Sequence, residues 1–134
     1  MPVIRTYIVE DNLVILGNLR DALEELTDVE VVGTAADEEA AVNRMRQDTR
    51  GIDLMIIDVF LASGSGLGVL RSAQQLNVQA RRVMLTNYAT PEIRRRCAEL
   101  GANRVFDKSN EIEHLIDYCG RISDGTATVP GALG

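Results

Sequence analysis

The sequence has few of the residues that build disulfide scaffolds or metal centres with nitrogen and sulfur ligands. Its two cysteines, Cys97 and Cys119, are too few for a disulfide-rich secreted domain of 134 residues. Its single histidine, His114, cannot by itself supply a zinc or haem site. These shortages exclude two common classes of small domain.

Basic charge and long apolar runs are also scarce. The chain has 14 basic and 20 acidic residues, a formal net charge of −6. Because affinity for double-stranded DNA rests on neutralising phosphates, we expect no direct DNA binding by this chain. The central apolar run, residues 54–57, is far shorter than the roughly 20 residues that span a bilayer. No signal-peptide pattern opens the sequence, so we expect a cytoplasmic protein that does not bind membranes.

Short β-branched segments alternate with amphipathic segments along the chain, and 46% of the residues are hydrophobic, as in globular domains. The predicted strands cover residues 3–9, 29–33, 52–57, 82–85 and 104–107. The predicted helices cover residues 12–26, 37–46, 67–76, 90–101 and 110–122. Five strands alternating with five helices predict an α/β domain over residues 1–122, with a parallel sheet between helices. Residues 123–134, rich in glycine, threonine and alanine, are expected to form a flexible tail.

Local sequence signals mark the starts of three helices. Asp37 and Thr90 are suited to cap the second and fourth helices. Asn110 and Glu113 form a capping-box pattern, which predicts that the last helix starts near residue 110.

Polar residues follow the predicted strands at the point where each strand ends. Glu10 and Asp11 follow the first strand, Asp58 the third, Thr86 the fourth and Lys108 the fifth. Because the carboxyl ends of parallel strands share one edge of a sheet, we expect these groups to converge. Clustered carboxylates need a compensating cation, and oxygen ligands select a hard ion such as Mg²⁺. A metal ion, a lysine and a nucleophilic aspartate together predict phosphoryl transfer.

Each of these residues also has a purely structural interpretation. Glu10 and Asp11 could cap the first helix, Asp58 and Thr86 could be loop residues, and Lys108 could be solvated. None of these interpretations explains why such groups follow four different strands, so we favour the joint site.

In these residues the chain resembles the receiver domains of bacterial two-component response regulators, over roughly residues 3–122. The resemblance implies a flavodoxin-like, doubly wound sheet of five parallel strands in the order 2-1-3-4-5. It implies that Asp58 accepts a phosphoryl group from a sensor histidine kinase or a histidine phosphotransfer protein. A receiver catalyses this reaction on itself and is not a conventional turnover enzyme. Glu10, Asp11 and Asp58 would hold Mg²⁺ together with the backbone carbonyl of Phe60.

The resemblance also implies roles for the neighbouring residues. Thr86 and Lys108 would bind phosphoryl oxygens and start the conformational switch. Asn87 stands where the family usually has alanine or glycine, and it could narrow access to the site or bind the phosphoryl group. Phe60 and Tyr88 would flank the path of the hydrolytic water.

The outer surfaces carry three further expectations. Val14, Asn18 and Asp21 share one face of the first helix, which the resemblance makes the kinase-docking surface. The fourth helix, fifth strand and fifth helix would form the readout face and a homodimer contact. Residues 94–96, three arginines, are expected to be solvated, or else to pair across that dimer with acids such as Glu111.

One departure puts part of the family's switch in question. Val105 stands where many receivers have an aromatic ring that turns inward on activation. Phe106 is a poor substitute, because neighbouring residues of a strand point to opposite faces.

The same residues bear on four other functional classes. A haloacid-dehalogenase-type phosphatase needs a second aspartate two residues after the nucleophile, where Phe60 stands. A flavodoxin-like cofactor site needs a phosphate-binding loop, which Glu10 and Asp11 would oppose. An interaction module that needs no phosphorylation would lack an acid or the lysine, and neither is missing here, although Asn87 keeps this class open. A receiver from a longer DNA-binding regulator remains open, although nothing after Ile122 predicts an output domain.

Overall fold

The computed structural model describes residues 3–123, which form one parallel sheet with helices on both faces. The strands are β1 (Ile4–Val9), β2 (Val29–Ala35), β3 (Leu54–Asp58), β4 (Arg81–Thr86) and β5 (Arg104–Asp107). The helices are α1 (Leu13–Leu26), α2 (Glu38–Gln47), α3 (Gly66–Gln75), α4 (Pro91–Glu99) and α5 (Ile112–Ser123). The predicted tail at 123–134 lies, beyond Ser123, outside the described residues.

The strand order is β2-β1-β3-β4-β5, and every neighbouring pair is parallel. This confirms the predicted doubly wound, flavodoxin-like topology. Within residues 3–123, no helix is both long enough and apolar enough to span a bilayer.

Two apolar cores lie on the two faces of the sheet. Met55 and Ile57 pack with α2, α3 and α4 on one face, and Ile56 packs with α1 and α5 on the other. Every residue of β3 is buried, as expected for a central strand covered on both faces. This packing holds Asp58, the last residue of β3, at a rigid point of the sheet edge.

The ends of several helices follow the predicted signals. The side chains of Asp37 and Thr90 accept backbone N–H groups in the first turns of α2 and α4, which confirms both caps. Asn12 caps α1 with its side-chain oxygen, so the interpretation of Glu10 and Asp11 as the caps of α1 is wrong. Those two acids are therefore available for other contacts.

The predicted capping box of the last helix is wrong. α5 begins at Ile112, two residues after Asn110. The carboxylate of Asp107 accepts the N–H groups of Ser109 at 2.7 Å and Asn110 at 3.2 Å. A carboxylate that accepts the backbone N–H groups two and three residues ahead stabilises a turn. The helix therefore begins only after this turn.

The expectation for the arginine run is wrong at its first residue. Arg94, whose side chain is only partly exposed, pairs with Glu111 of its own chain, at 2.8 Å between Nη2 and Oε1. Its guanidinium also donates to the carbonyl oxygens of Ala89 at 3.2 Å and Val105 at 2.9 Å. Arg94 therefore joins the loop before α4 to β5 and to the residue that precedes α5.

Val105 and Phe106 occupy opposite faces of β5, as predicted. Val105 packs against the core beneath α2, α3 and α4, and Phe106 is buried in the core beneath α1 and α5. No aromatic ring stands at the position where the family's switch would need one.

Candidate functional site

The carboxyl ends of β1 and β3 bring three carboxylates together. Oxygen atoms of Glu10, Asp11 and Asp58 lie within 4.8 Å of one another. Glu10 is 2% exposed and Asp58 is 5% exposed, whereas Asp11 is half-buried. Unit charges about 4 Å apart repel by roughly 4 kcal/mol at an effective dielectric constant of about 20. Since small domains are stable by only about 5–15 kcal/mol, this repulsion requires a cation.

Lys108 supplies part of that positive charge. Its Nζ lies 2.6 Å from Oε1 of Glu10 and 2.8 Å from Oδ2 of Asp58, and the side chain is only 10% exposed. The backbone N–H of Lys108 donates to the carbonyl of Thr86, which ties the residue after β5 to the end of β4. Lys108 is the only lysine among the 14 basic residues. This is a second sequence signal for the site, independent of the position of Lys108 after a strand.

Burial and charge act in opposite directions on the groups of this site. Burial raises the pKa of Glu10 and the nearby Asp58 adds to the rise, although the Lys108 ammonium and the Asn12 N–H oppose it. Burial alone would lower the pKa of Lys108, but its contacts with the two carboxylates outweigh burial and raise it. The ammonium is therefore well stabilised, while the carboxylates share more negative charge than one lysine neutralises.

Asp11 connects this cluster to the loop that follows β3. Its Oδ2 accepts the N–H of Ala62 at 2.8 Å. Burial raises the pKa of Asp11, but the hydrogen bonds, led by the one from Ala62, outweigh burial and lower it. Phe60, in the same loop, donates its N–H to Oδ1 of Asp58 at 3.3 Å. The loop is therefore bonded to two of the three carboxylates.

The donor set fits a hard divalent cation. Oε1 of Glu10 is buried, and the Lys108 ammonium contacts it at 2.6 Å. Three clustered carboxylates with only one lysine among them carry surplus negative charge, which suits an ion such as Mg²⁺. The cluster has oxygen donors only, which disfavours zinc and copper.

Thr86, the last residue of β4, and Asn87, which follows it, form hydrogen bonds within and between the loops at this edge of the sheet. Thr86 is fully buried, and its Oγ1 accepts the N–H of Tyr88 at 2.9 Å. The side-chain oxygen of Asn87 accepts the hydroxyl of Ser109 at 3.3 Å, which links the loops after β4 and β5. Asn87 thus lies at the rim of the site, bonded to the residue after Lys108.

Two exposed aromatic side chains lie two residues after Asp58 and Thr86. Phe60 is 52% exposed and Tyr88 is 65% exposed, and their rings meet edge to face with centroids 5.5 Å apart. They come from the loops after β3 and β4, so the pair spans the two loops.

A largely apolar groove of about 260 Å³ runs between α1 and α5 and ends at Lys108. Asn18 lines this groove, together with Asn87 at its end near the site. The other two predicted docking residues, Val14 and Asp21, are exposed on α1 but are not among the lining residues. Sequence patterns missed the groove, because it forms between helices that are far apart along the chain.

Comparisons with known proteins agree with this geometry. The model of the response regulator receiver domain family matches residues 6–119. The uncharacterized transcriptional regulatory protein YvfU of Bacillus subtilis is 30% identical over 114 residues, which are 85% of this chain and 56% of that protein. A protein-glutamate methylesterase/protein-glutamine glutaminase of Methanospirillum hungatei is 24% identical, over 89% of this chain and 35% of that protein. The chain thus spans about half or less of the length of these relatives.

Solved structures share the fold at low sequence identity. A LuxR-family two-component response regulator from Aurantimonas superposes with a TM-score of 0.82 at 23% identity, covering 96% of this chain and 90% of the other. The signal receiver domain of NarL from Mycobacterium tuberculosis superposes with a TM-score of 0.81 at 18% identity, covering 93% and 99%. The family match, the sheet order and these superpositions lead to one conclusion: the chain belongs to the receiver domain family of two-component response regulators.

Proposed function

We propose that this receiver accepts a phosphoryl group on Asp58 from a sensor histidine kinase or a histidine phosphotransfer protein. The observation that carries the proposal is the 2.8 Å contact between Asp58 and the buried Lys108, beside two further carboxylates. An aspartate carboxylate is a known type of nucleophile for phosphoryl transfer. One of its oxygens forms the bond to phosphorus, while the bond to the donor's leaving group breaks and that group keeps the electron pair.

The metal ligands in this proposal are Glu10, Asp11, Asp58 and the backbone carbonyl of Phe60. Bound Mg²⁺ would supply charge neutralisation for the transferring phosphoryl group. The convergence of oxygen atoms from the three carboxylates within 4.8 Å of one another supports this assignment. The carboxylates of Asp11 and Asp58 are already oriented by hydrogen bonds from the loop after β3.

The remaining polar groups bind the phosphoryl oxygens after transfer. Lys108 exchanges a carboxylate contact for a phosphoryl oxygen, and the Thr86 hydroxyl turns from the N–H of Tyr88 to donate to another. Charge-assisted hydrogen bonds of this kind are about twice as strong as neutral ones. Asn87 controls access at the rim through its contact with Ser109.

Incubation with acetyl phosphate and Mg²⁺ tests the phosphoacceptor directly. We expect the wild type to gain the mass of one phosphoryl group and Asp58→Asn to gain none, by intact mass spectrometry. Asp53→Asn is the matched control, because Asp53 lies just before β3 and pairs with Arg5 at the opposite end of the strand. Labelling of Asp58→Asn at the wild-type level would refute the assignment.

The exposed aromatic pair limits the approach of water to the phosphoryl group. The two rings span the loops after β3 and β4, which follow Asp58 and Thr86. An apolar rim disfavours an ordered water there, because water needs polar partners to be held in place.

The lifetime of the phosphorylated protein tests this role. Phe60→Asn and Tyr88→Glu, which replace an apolar ring with a group that can hold water, are each expected to shorten the lifetime several-fold. Tyr88→Phe keeps the ring and is expected to leave the lifetime unchanged. Equal lifetimes in the wild type and the three variants, measured by loss of the phosphoryl mass, would show that the aromatic pair does not limit the approach of water.

The readout passes to the face formed by α4, β5 and α5, which is also the proposed homodimer contact. Arg94 carries the change, because it donates to Ala89 in the loop after Thr86, to Val105 in β5 and to Glu111 before α5. These contacts connect the loop to the face without an aromatic ring at residue 105.

Amide chemical shifts on adding beryllium fluoride with Mg²⁺ follow this change. We expect shifts that extend from the surroundings of Asp58 through residues 86–90 to α4, β5 and the start of α5. Asp58→Asn is expected to show none of them. Shifts confined to the immediate neighbours of Asp58 would contradict the route, and an unchanged sedimentation coefficient of the same sample would contradict the homodimer.

The phosphodonor docks on α1 beside the groove. Val14 is 72% exposed, Asp21 is exposed near it, and Asn18 lies where this face meets the groove that ends at Lys108. A lone exposed valine has little significance alone, but here it borders the site that the donor must reach.

Val14→Asp tests this surface. It is expected to slow transfer from a phosphorylated histidine kinase or phosphotransfer protein and to leave labelling by acetyl phosphate unchanged. Leu26→Asp makes the same chemical change at an exposed position, at the far end of α1. Equal transfer rates in wild type and Val14→Asp would place docking elsewhere.

A second candidate function follows from the lengths of the relatives. Because the chain covers 56% of a transcriptional regulatory protein, it could act as the receiver of a longer transcriptional regulator. Detection in cells of a gene product no longer than 134 residues would contradict this candidate.

A further inference from the structure

Glu38, in the first turn of α2, contacts the loop that follows the phosphoacceptor strand. Its Oε1 accepts the N–H of Ser65 at 2.9 Å, across 27 residues of sequence. Its own N–H lies 3.3 Å from the carbonyl oxygen of Ser63 and donates to it. A side chain outside the cluster of acids therefore holds the far end of the loop formed by residues 59–65.

Two glycines leave room for this carboxylate. Gly64 has a φ of +76°, a conformation that disfavours other residues, and a Cβ there would meet the Glu38 side chain. A Cβ on Gly68, in the first turn of α3, would run into the Glu38 carboxylate itself. The backbone on both sides of Ser65 is thus shaped around Glu38, whereas the neighbouring Glu39 is exposed.

The hold on Ser65 extends to the residues nearest the site. Ser65 pairs with Phe60 in an isolated antiparallel bridge, so fixing one residue fixes the other. At the middle of the loop, Ala62 donates its N–H to Asp11. The loop is therefore secured at two points, by a proposed metal ligand and by Glu38.

We propose that Glu38 is a positioning residue for the Mg²⁺ site. It holds the loop so that the carbonyl of Phe60 and the carboxylate of Asp11 stay in place for the ion. This inference rests on the proposed function, because it assigns Glu38 a role toward the Mg²⁺ that the function requires. Residues that orient metal ligands typically change metal affinity by about 10–100-fold when they are removed.

Mg²⁺ titration followed by amide chemical shifts measures this role without any phosphorylation. Glu38→Ala is expected to weaken Mg²⁺ binding by about tenfold, the low end of that range, because the loop keeps its contact with Asp11. It is also expected to speed hydrogen exchange of the Ser65 amide before Mg²⁺ is added. Glu38→Gln retains an oxygen that can accept the Ser65 N–H and is expected to restore both measurements to wild-type values.

Glu39→Ala is the matched control. It removes an acid from the same first turn of α2, so it reproduces any effect of lost charge at the helix N-terminus. We expect it to leave Mg²⁺ affinity and Ser65 exchange unchanged. An effect of Glu39→Ala as large as that of Glu38→Ala would overturn the inference.

Gly68→Ala separates positioning from general stability. Its Cβ would displace the Glu38 carboxylate, so we expect the same loss of Mg²⁺ affinity as in Glu38→Ala. Because alanine favours a helix more than glycine, thermal stability is expected to be unchanged or higher. In a Glu38→Ala background, Gly68→Ala is expected to cause no further loss of Mg²⁺ affinity, because both changes remove the same contact between Glu38 and Ser65.

Different measurements test the role of Glu38 and the phosphoacceptor role of Asp58. A wild type that takes up no phosphoryl group refutes the proposed function. Wild-type Mg²⁺ affinity and wild-type Ser65 exchange in a folded Glu38→Ala variant refute the role of Glu38, whatever the result of phosphorylation.

Discussion

The contact of one ammonium with two buried carboxylates is the interaction on which the rest of this site depends. Lys108 lies between Glu10 and Asp58, and all three side chains are nearly removed from water. Buried charges of one sign are tolerated only when opposite charge compensates them. One lysine against three acids leaves an excess of negative charge, which a bound cation would reduce. The same charges therefore bear both on the stability of the fold and on the proposed function.

The parallel sheet makes this arrangement attainable. Side chains from β1, β3 and β5 can meet because all carboxyl ends of a parallel sheet lie at one edge. The complete burial of β3 keeps Asp58 at a fixed position, and the loops around it supply further polar groups. Ala62 and Ser65 connect one such loop to Asp11 and to Glu38. The site thus combines a carboxylate at a buried strand end with a loop that is held by hydrogen bonds to two other segments.

Much of the fold could be predicted from local patterns. Strand periodicity identified all five strands, and Asp37 and Thr90 marked helix starts because capping depends on a few neighbouring atoms. The prediction failed where two local signals competed. Asn110 is a suitable capping residue by type, but the carboxylate of Asp107 accepts the backbone N–H groups of Ser109 and Asn110, so residues 107–110 form a turn. The pairing of Arg94 with Glu111 was missed because the two residues come from different elements and meet only when these pack.

Residue order alone specifies which chemical groups are available. Because the carboxyl ends of parallel strands lie at one edge of a sheet, residue order also specifies which edge carries these groups. Acids, a hydroxyl and a single lysine at the ends of strands are properties of residue order, and residue order also sets the periodicity that forms the strands. The distances among these groups, by contrast, depend on the packed fold, as do the groove between α1 and α5 and the contact of Glu38 with Ser65. Such contacts join residues far apart in the chain, and their geometry depends on how whole helices pack rather than on any local pattern.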